Sequence, residues 1–348
     1  MAYTTIDDGS EYFHTQLYTG DAQSSKVITN DANAGDFKPD WLWIKERSST
    51  SSHLLFDSTR GTNKKLTSNS TDSEETFAYL SSYDTDGFTI GTSDGAINDT
   101  QTYVAWQWKA NGGTTSSNTD GSITTTVQAN TTAGFSIVTY AGSNSASTVG
   151  HGLGAVPEVI FVKNRDASAN WKSYHKPILE THTLSLNGTG AKADQESFND
   201  TAPTSTVFSL LGNTDNVNRS GEDFVAYCFA PIQGYSKFGS YTGNGATPGP
   251  FVYTGFKPAW VMFKRSSGTS QWEIHDNKRP EYNPTDFLLA ESTSAENTGA
   301  DAIDFLSNGF KCNTGSRDNT NYNGSTHIYM AFAEHPFVSS KGVPVTAR

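Results

Sequence analysis

Three features of the sequence predict an all-β fold of three tandem β-sandwich or jelly-roll-like modules, each of about 100 residues. Aromatic residues make up 12% of the chain, while charged residues reach only 17% and the strong helix formers Leu, Met, Glu and Lys are sparse. Ser, Thr, Asn and 31 glycines fill the remainder, as turns and solvated strand faces require. Above all, one phrase recurs three times in the same order.

The phrase opens on an aromatic run closing at Tyr18-Thr19-Gly20, Tyr140-Ala141-Gly142 and Tyr241-Thr242-Gly243. A proline, an apolar strand and a lysine follow: Pro39 to Lys45, Pro157 to Lys163 and Pro258 to Lys264, with an offset of six each time. These strands are apolar almost without a break, which predicts burial on both faces. Each proline suits the first position of its strand, where a missing N–H costs least. A polar turn then leads to a second strand ending at Asp57, His175 or Asp276, always twelve residues after the lysine. A loop length held fixed across variable turn residues predicts a hairpin. Each copy closes on a Gly-Phe or Val-Phe strand (Phe88, Phe208, Phe310) and a last strand around Ala105, Ala226 and Ala331.

These phrases divide the chain into a first module at 1–110, a polar linker at 111–131, modules at 132–231 and 232–337, and an extended tail at 338–348. Residues 230–234 leave modules two and three almost no slack, so these two are expected to pack together with the first at an angle. A capping-box-like Thr71-Asp72-Ser73-Glu74-Glu75 predicts one short helical turn.

The net charge of -12 and the lack of a Lys/Arg cluster argue against nucleic acid as a partner. No apolar run approaches the ~20 residues of a membrane helix, so no membrane insertion is expected. The N-terminal residues carry no basic and apolar signal pattern. Cys228 and Cys312 sit in apolar runs and read as two buried free thiols.

Motifs for chemistry are few, and neither catalytic nor metal-binding residues nor a cofactor are expected. Asp57 with Arg60 and Asp276 with Arg279 track the repeat, which points to a turn-closing ion pair. Asp84-Thr85-Asp86-Gly87 reads as a hairpin turn in preference to a calcium loop, because the later bidentate Glu is missing. Gly150-His151-Gly152-Leu153-Gly154 runs into a strand, not into a helix, and so is no phosphate cradle. Trp108, Trp171 and Trp272 lie at strand ends or beside loops. They read either as core residues or as a surface for stacking on glycans or docking a partner.

The sequence also resembles a family of tailed-phage virion structural proteins with tandem β repeats, from marine and cyanobacterial phages above all. The phrases carrying the resemblance are Gly134 to Tyr140, Thr148 to Gly154, Gly221 to Ala230, Gly234 to Gly243 and Phe256 to Met262, and it is best from about 130 to 335. It implies a non-enzymatic virion component assembled in the host cytoplasm, with other virion proteins as partners, and it supplies no catalytic residues. A tail-associated fibre or adhesin is the leading expectation. The alternatives are a capsid decoration protein (head fibre or cement) and a carbohydrate-binding module for host-surface glycans. Homo-oligomerisation is expected, since fibres and shells are symmetric.

Overall fold

Strands form where the apolar and aromatic runs stand. The computed structural model describes residues 3–31, 36–212, 216–280, 282–299 and 301–344. In the first third, β1 (Phe13–Thr19), β2 (Trp41–Glu46), β3 (Leu54–Asp57) and β4 (Thr102–Trp108) make an antiparallel sheet ordered β1-β4-β2-β3. The second third repeats the order with β5 (Phe135–Ala141), β6 (Val159–Asn164), β7 (Lys172–His175) and β8 (Asp223–Phe229), as β5-β8-β6-β7. The last third repeats it with β9 (Ser236–Thr242), β10 (Phe256–Arg265), β11 (Glu273–Asp276) and β12 (Thr326–Pro336), as β9-β12-β10-β11. The hairpin register is identical in all three: Trp41 faces Asp57, Val159 faces His175 and Trp260 faces Asp276.

Both faces of these sheets are buried, which is why β2 and β6 carry no exposed residue. One set of alternate residues (Trp41, Trp43, Trp106, Trp108; Phe161, Tyr227, Phe229; Trp260, Met262, Phe332) meets in a core common to all three thirds. The other set packs under small outer sheets: Leu42, Ile44 and Ala105 against Phe88, then Ile160, Val162 and Ala226 against Phe208. The outer sheets hold the three Gly-Phe or Val-Phe strands, Gly87–Ile90, Val207–Leu210 and Gly309–Cys312. Asp84 and Gly87 close the predicted hairpin, and Gly87 is obligatory there: φ is +104°, and a Cβ would lie 2.1 Å from Ile28 O. Cys228 and Cys312 are buried free thiols.

Several expectations are corrected. Segment 111–131 is not a slack linker, because strands Ser116–Asn118 and Thr125–Asn130 extend the second sheet beyond β5. Its small polar residues disguise a strand in which Val127 and Gln128, on opposite faces, are both buried. No helical turn forms at 71–75, where Glu75–Thr76 pairs with Lys64–Lys65; Glu74 is drawn instead into an ion pair. The short α-helix lies at Gly95–Asn98, capped by Asp94. Pro258 is inside β10 at a bulge, which spares it a ladder bond. The last strand of the third copy is offset by two residues. Ile44 and Val162 face Ala105 and Ala226, but Phe263 faces Tyr329, not Ala331. A two-residue shift keeps the same face, so the apolar pattern conceals it. The tail does not run straight. Ser339 and Val343 close a turn, Ser340 N donates to Asp7 Oδ1 (2.6 Å), and 345–348 lie outside the described residues.

Candidate functional site

The functional geometry begins where the three sheets meet, because identical positions make identical bonds there. The residue six after each repeat lysine donates its backbone N–H to a neighbouring third: Ser51 to Thr293 O (2.9 Å), Ala169 to Thr71 O (2.8 Å), Ser270 to Thr189 O (3.0 Å). The residue two after each lysine accepts a return bond: Arg47 from Glu296 N (2.8 Å), Arg165 from Glu74 N (2.7 Å), Ser266 from Lys192 N (2.9 Å). A ring N–H at a third equivalent position reaches the same neighbour. Trp171 Nε1 donates to Thr67 O (2.8 Å) and Trp272 Nε1 to Ser185 O (3.1 Å), while His53 Nε2 lies 2.9 Å from Leu289 O. The first third thus grips the third, the second the first, and the third the second. Three sheets close a ring with pseudo-threefold symmetry, not a file of independent modules.

Two of the three seams carry a buried charge network. Arg60 Nε bonds Asp57 Oδ2 (2.5 Å) and Arg60 Nη1 bonds Glu74 Oε2 (3.0 Å), which Arg165 also grips at 2.8 Å. Tyr227 Oη donates to the same Asp57 oxygen across the seam (2.7 Å). The counterpart joins Arg279 to Asp276 (2.6 Å) and Glu296 (3.0 Å), Arg47 to Glu296 (2.8 Å), and Trp106 Nε1 to Asp276 Oδ2 (2.9 Å). The arginines beside Glu74 hold its carboxyl down at about 2 against the cost of burial. At the remaining seam all five positions differ together: His175, Ile178, Lys192, Ser266 and Met330. His175 Nε2 there lies 3.0 Å from Tyr329 O.

The turn-closing ion pair read from the sequence is therefore present, and it extends across a seam. Glu74, Arg165, Tyr227, Glu296 and Arg47 went unread as its partners. A signal existed, since Thr67 and Thr71 stand four apart like Ser185 and Thr189.

Trp108, Trp171 and Trp272 offer no surface for a glycan or a partner, with exposures of 1%, 0% and 3%. Trp108 packs on Trp41, Phe13, Trp260 and Phe332 with ring centroids 4.5 to 5.7 Å away. Trp171 and Trp272 use their indole N–H groups at the seams. Large rings at strand ends fill the common core because strand ends are where neighbouring sheets converge.

The buried groups that invite a catalytic reading are closed to solvent. Thr285 Oγ1, His275 and Glu273 Oε2 form a line (2.7 and 3.3 Å), but all three side chains are within the core. Lys45, Lys163 and Lys264 are wholly buried, and burial pushes each down to about 8. They cap carbonyls instead of reaching a cavity; Lys163 Nζ, for example, donates to Thr71 O (3.0 Å) and Ala169 O (2.9 Å). Among the described residues no group of three His, Cys, Asp or Glu side chains is placed to hold a metal ion. Open clefts adjoin two seams: one of about 380 Å³ between the first and last thirds, lined by Asp8, His14, Thr15, Lys278 and Glu334 among others, and one of about 540 Å³ between the first and second, lined by Lys109, Ala110, Asn130 and Thr131 among others.

Burial keeps His175 neutral by pushing its imidazole down to about 4. The unfolded chain, with an ordinary pKa near 6.5, then takes up the proton first as pH falls. The stability contributed by His175 is complete above about pH 6.5 and is lost down to about pH 4, amounting to about 3 kcal/mol. His327, also pushed down to about 4, adds to this slope, while Glu291, raised to about 7 by burial, opposes it. The difference between wild type and His175→Gln in urea titrations from pH 7 to pH 4 isolates the effect. Parallel pH profiles for the two proteins would count against it.

Fold and seams together define a single-chain, pseudo-threefold β ring whose buried polar groups are spent on holding the ring together. The chain belongs to the family described as a domain of unknown function, DUF7483, whose model matches residues 8–336 and so runs through all three sheets. No curated protein and no solved structure matches the chain.

Proposed function

We propose that this chain is a non-enzymatic structural protein of a tailed-phage virion, a tail-associated fibre or adhesin component. The observation that carries the reading is the use of the buried chemistry. Its ion pairs, lysines and ring N–H groups close seams between sheets, and the catalytic-looking lines among the described residues are shut off from solvent. Such a body resists local opening, because every seam joins residues far apart in the chain, such as Tyr227 and Asp57. Similarity of the repeat phrases to virion structural proteins supplies the particle context. Immunogold labelling or peptide mass spectrometry of purified particles tests it, and absence of the chain from intact virions sinks it.

One observation favours the capsid decoration reading. A pseudo-threefold body suits a seat at a threefold position of a shell. A copy number that scales with capsomers would select that reading, and one matching a few tail appendages would select the fibre.

A further inference from the structure

The second third is closed along one side by a stretch of chain that the last third lacks. On that side the main sheet and the small outer sheet both end at an edge, and residues 122–130 span the two. On the outer strand, Thr148 N donates to Ser122 Oγ (2.9 Å) and Thr148 O accepts from Ile123 N (3.1 Å). Thr126 then pairs with Thr139 of β5. Ile123 and Val127 pack into the core between the two sheets.

The last third carries the same two edges, and the strand registers fix the equivalent positions. Phe229 faces Phe135 and Phe332 faces Ser236, so Ser240 stands where Thr139 does. Phe208 faces Val149 and Phe310 faces Val252, so Phe251 stands where Thr148 does. Bonds from Ala333 N to Tyr235 O (2.7 Å) and from Gly243 N to Ser325 O (2.9 Å) turn the odd-numbered residues of β9 toward β12. The N–H and C=O groups of Ser240 and Thr242 therefore point out of the sheet. Cys312 N bonds Pro250 O (3.0 Å), which turns those of Phe251 outward from strand Phe251–Tyr253. None of these backbone groups has a partner among the described residues. Ser240 and Thr242 are exposed, as are Phe251 (46%) and Tyr253 (47%). Lys237 Nζ donates to Tyr253 O (2.8 Å), so the two edges border one opening. The first third differs at this point: Gln16 Nε2 caps Leu17 O (2.8 Å), and Gln16 Oε1 holds Asp31 N alongside (2.9 Å).

An unpaired strand edge is a template for another strand, and exposed aromatic rings beside it add apolar anchors. We propose that the edges at 240–242 and Phe251–Tyr253 receive an extended, uncharged, Ser/Thr-rich segment of a partner chain by strand addition. The chemistry is that of residues 122–130, which fill the equivalent place and include no charged side chain. Main-chain bonds to Ser240 and Thr242 supply the affinity, and Phe251 and Tyr253 the apolar contact. The site goes beyond the virion reading and does not depend on it.

The probe is a synthetic peptide of residues 121–130, blocked at both ends and added to the full chain. Amide hydrogen exchange is followed residue by residue by NMR. With the peptide at about nine times its Kd, Ser240 and Thr242 should exchange about tenfold more slowly. Ser240→Pro removes an outward donor without touching the ladder, so it should abolish the slowing and leave the melting temperature unchanged. A peptide N-methylated at Thr126 and Gln128, the positions opposite Thr139 and Ile137, should bind about tenfold more weakly. The proposal is overturned if the peptide slows neither amide, or if a scrambled peptide of the same composition acts equally. It is also overturned if Ser240→Pro or the N-methylated peptide binds undiminished. Protection of Ser240 and Thr242 that rises with the concentration of the free chain would assign the edge to a second copy and overturn it too. The virion reading stands or falls separately, on particle composition.

Discussion

Trp108→Ala should destabilise all three sheets together by about 3–5 kcal/mol. The indole is 1% exposed and touches rings from the first third (Trp41, Phe13) and the last (Trp260, Phe332). Trp41 in turn stacks on Tyr227 of the second third at 4.5 Å. A cavity at this point removes contacts from a core that no third owns alone. Urea unfolding should therefore remain one transition with a lower midpoint, and amides of β6 and β10 should lose protection as much as those of β4. Loss confined to the first sheet would mean three separate cores after all. The neighbours of Trp108 offer little chance of collapse into the space, since they are themselves rigid rings.

Arg60→Met should cost a similar amount, about 3–5 kcal/mol, for an electrostatic reason. Arg60 and Asp57 are both fully buried, so removing the guanidinium leaves Asp57 in the interior with only Tyr227 Oη and backbone donors. Glu74 keeps Arg165, which softens its loss. The seam that lacks the network shows a way to rescue the variant. Rewriting Asp57→His, Arg60→Ile, Glu74→Lys, Arg165→Ser and Tyr227→Met copies the positions held by His175, Ile178, Lys192, Ser266 and Met330. The five-residue variant removes the buried guanidinium and the buried carboxylate together, leaving no unpaired ion in the interior, so it should recover most of the stability lost by Arg60→Met. Chemical denaturation of wild type, single and fivefold variants decides it. A single variant within about 1 kcal/mol of wild type would show that the pair is not structural cement.

The two largest effects fall on residues of unequal legibility. Asp57 and Arg60 could be paired from sequence because they are three apart and recur with Asp276 and Arg279. Tyr227 could not be attached to them, since nothing local connects positions 170 residues apart. Trp108 was visible as a large ring at a strand end, where the same pattern suits a core or a binding surface.

The segment at 111–131 shows a further limit. Its Ser, Thr and Asn residues read as linker because periodicity is carried by apolar residues, and few are present. The structure pairs it as two strands at the end of the second sheet, and the inward side chains of Thr125–Asn130 include Gln128, which bonds Ser58 and Thr59 of the neighbouring third. The capping-box pattern at Thr71 misled in the same way, because Glu74 has a stronger partner in Arg165 than a helix N-terminus could offer.

By itself the sequence determined the all-β class, the threefold phrase, the hairpin register and the free thiols. Each of these is set by neighbours along the chain: alternation of apolar residues, a fixed loop length, a proline at or near a strand start. Only the tertiary structure decided that the three sheets close into a ring and which face of each meets the common core. Strands such as β2 and β6 are apolar on both faces, so alternation cannot say which face looks inward. That choice is made by aromatic packing and paired charges between residues far apart in the chain.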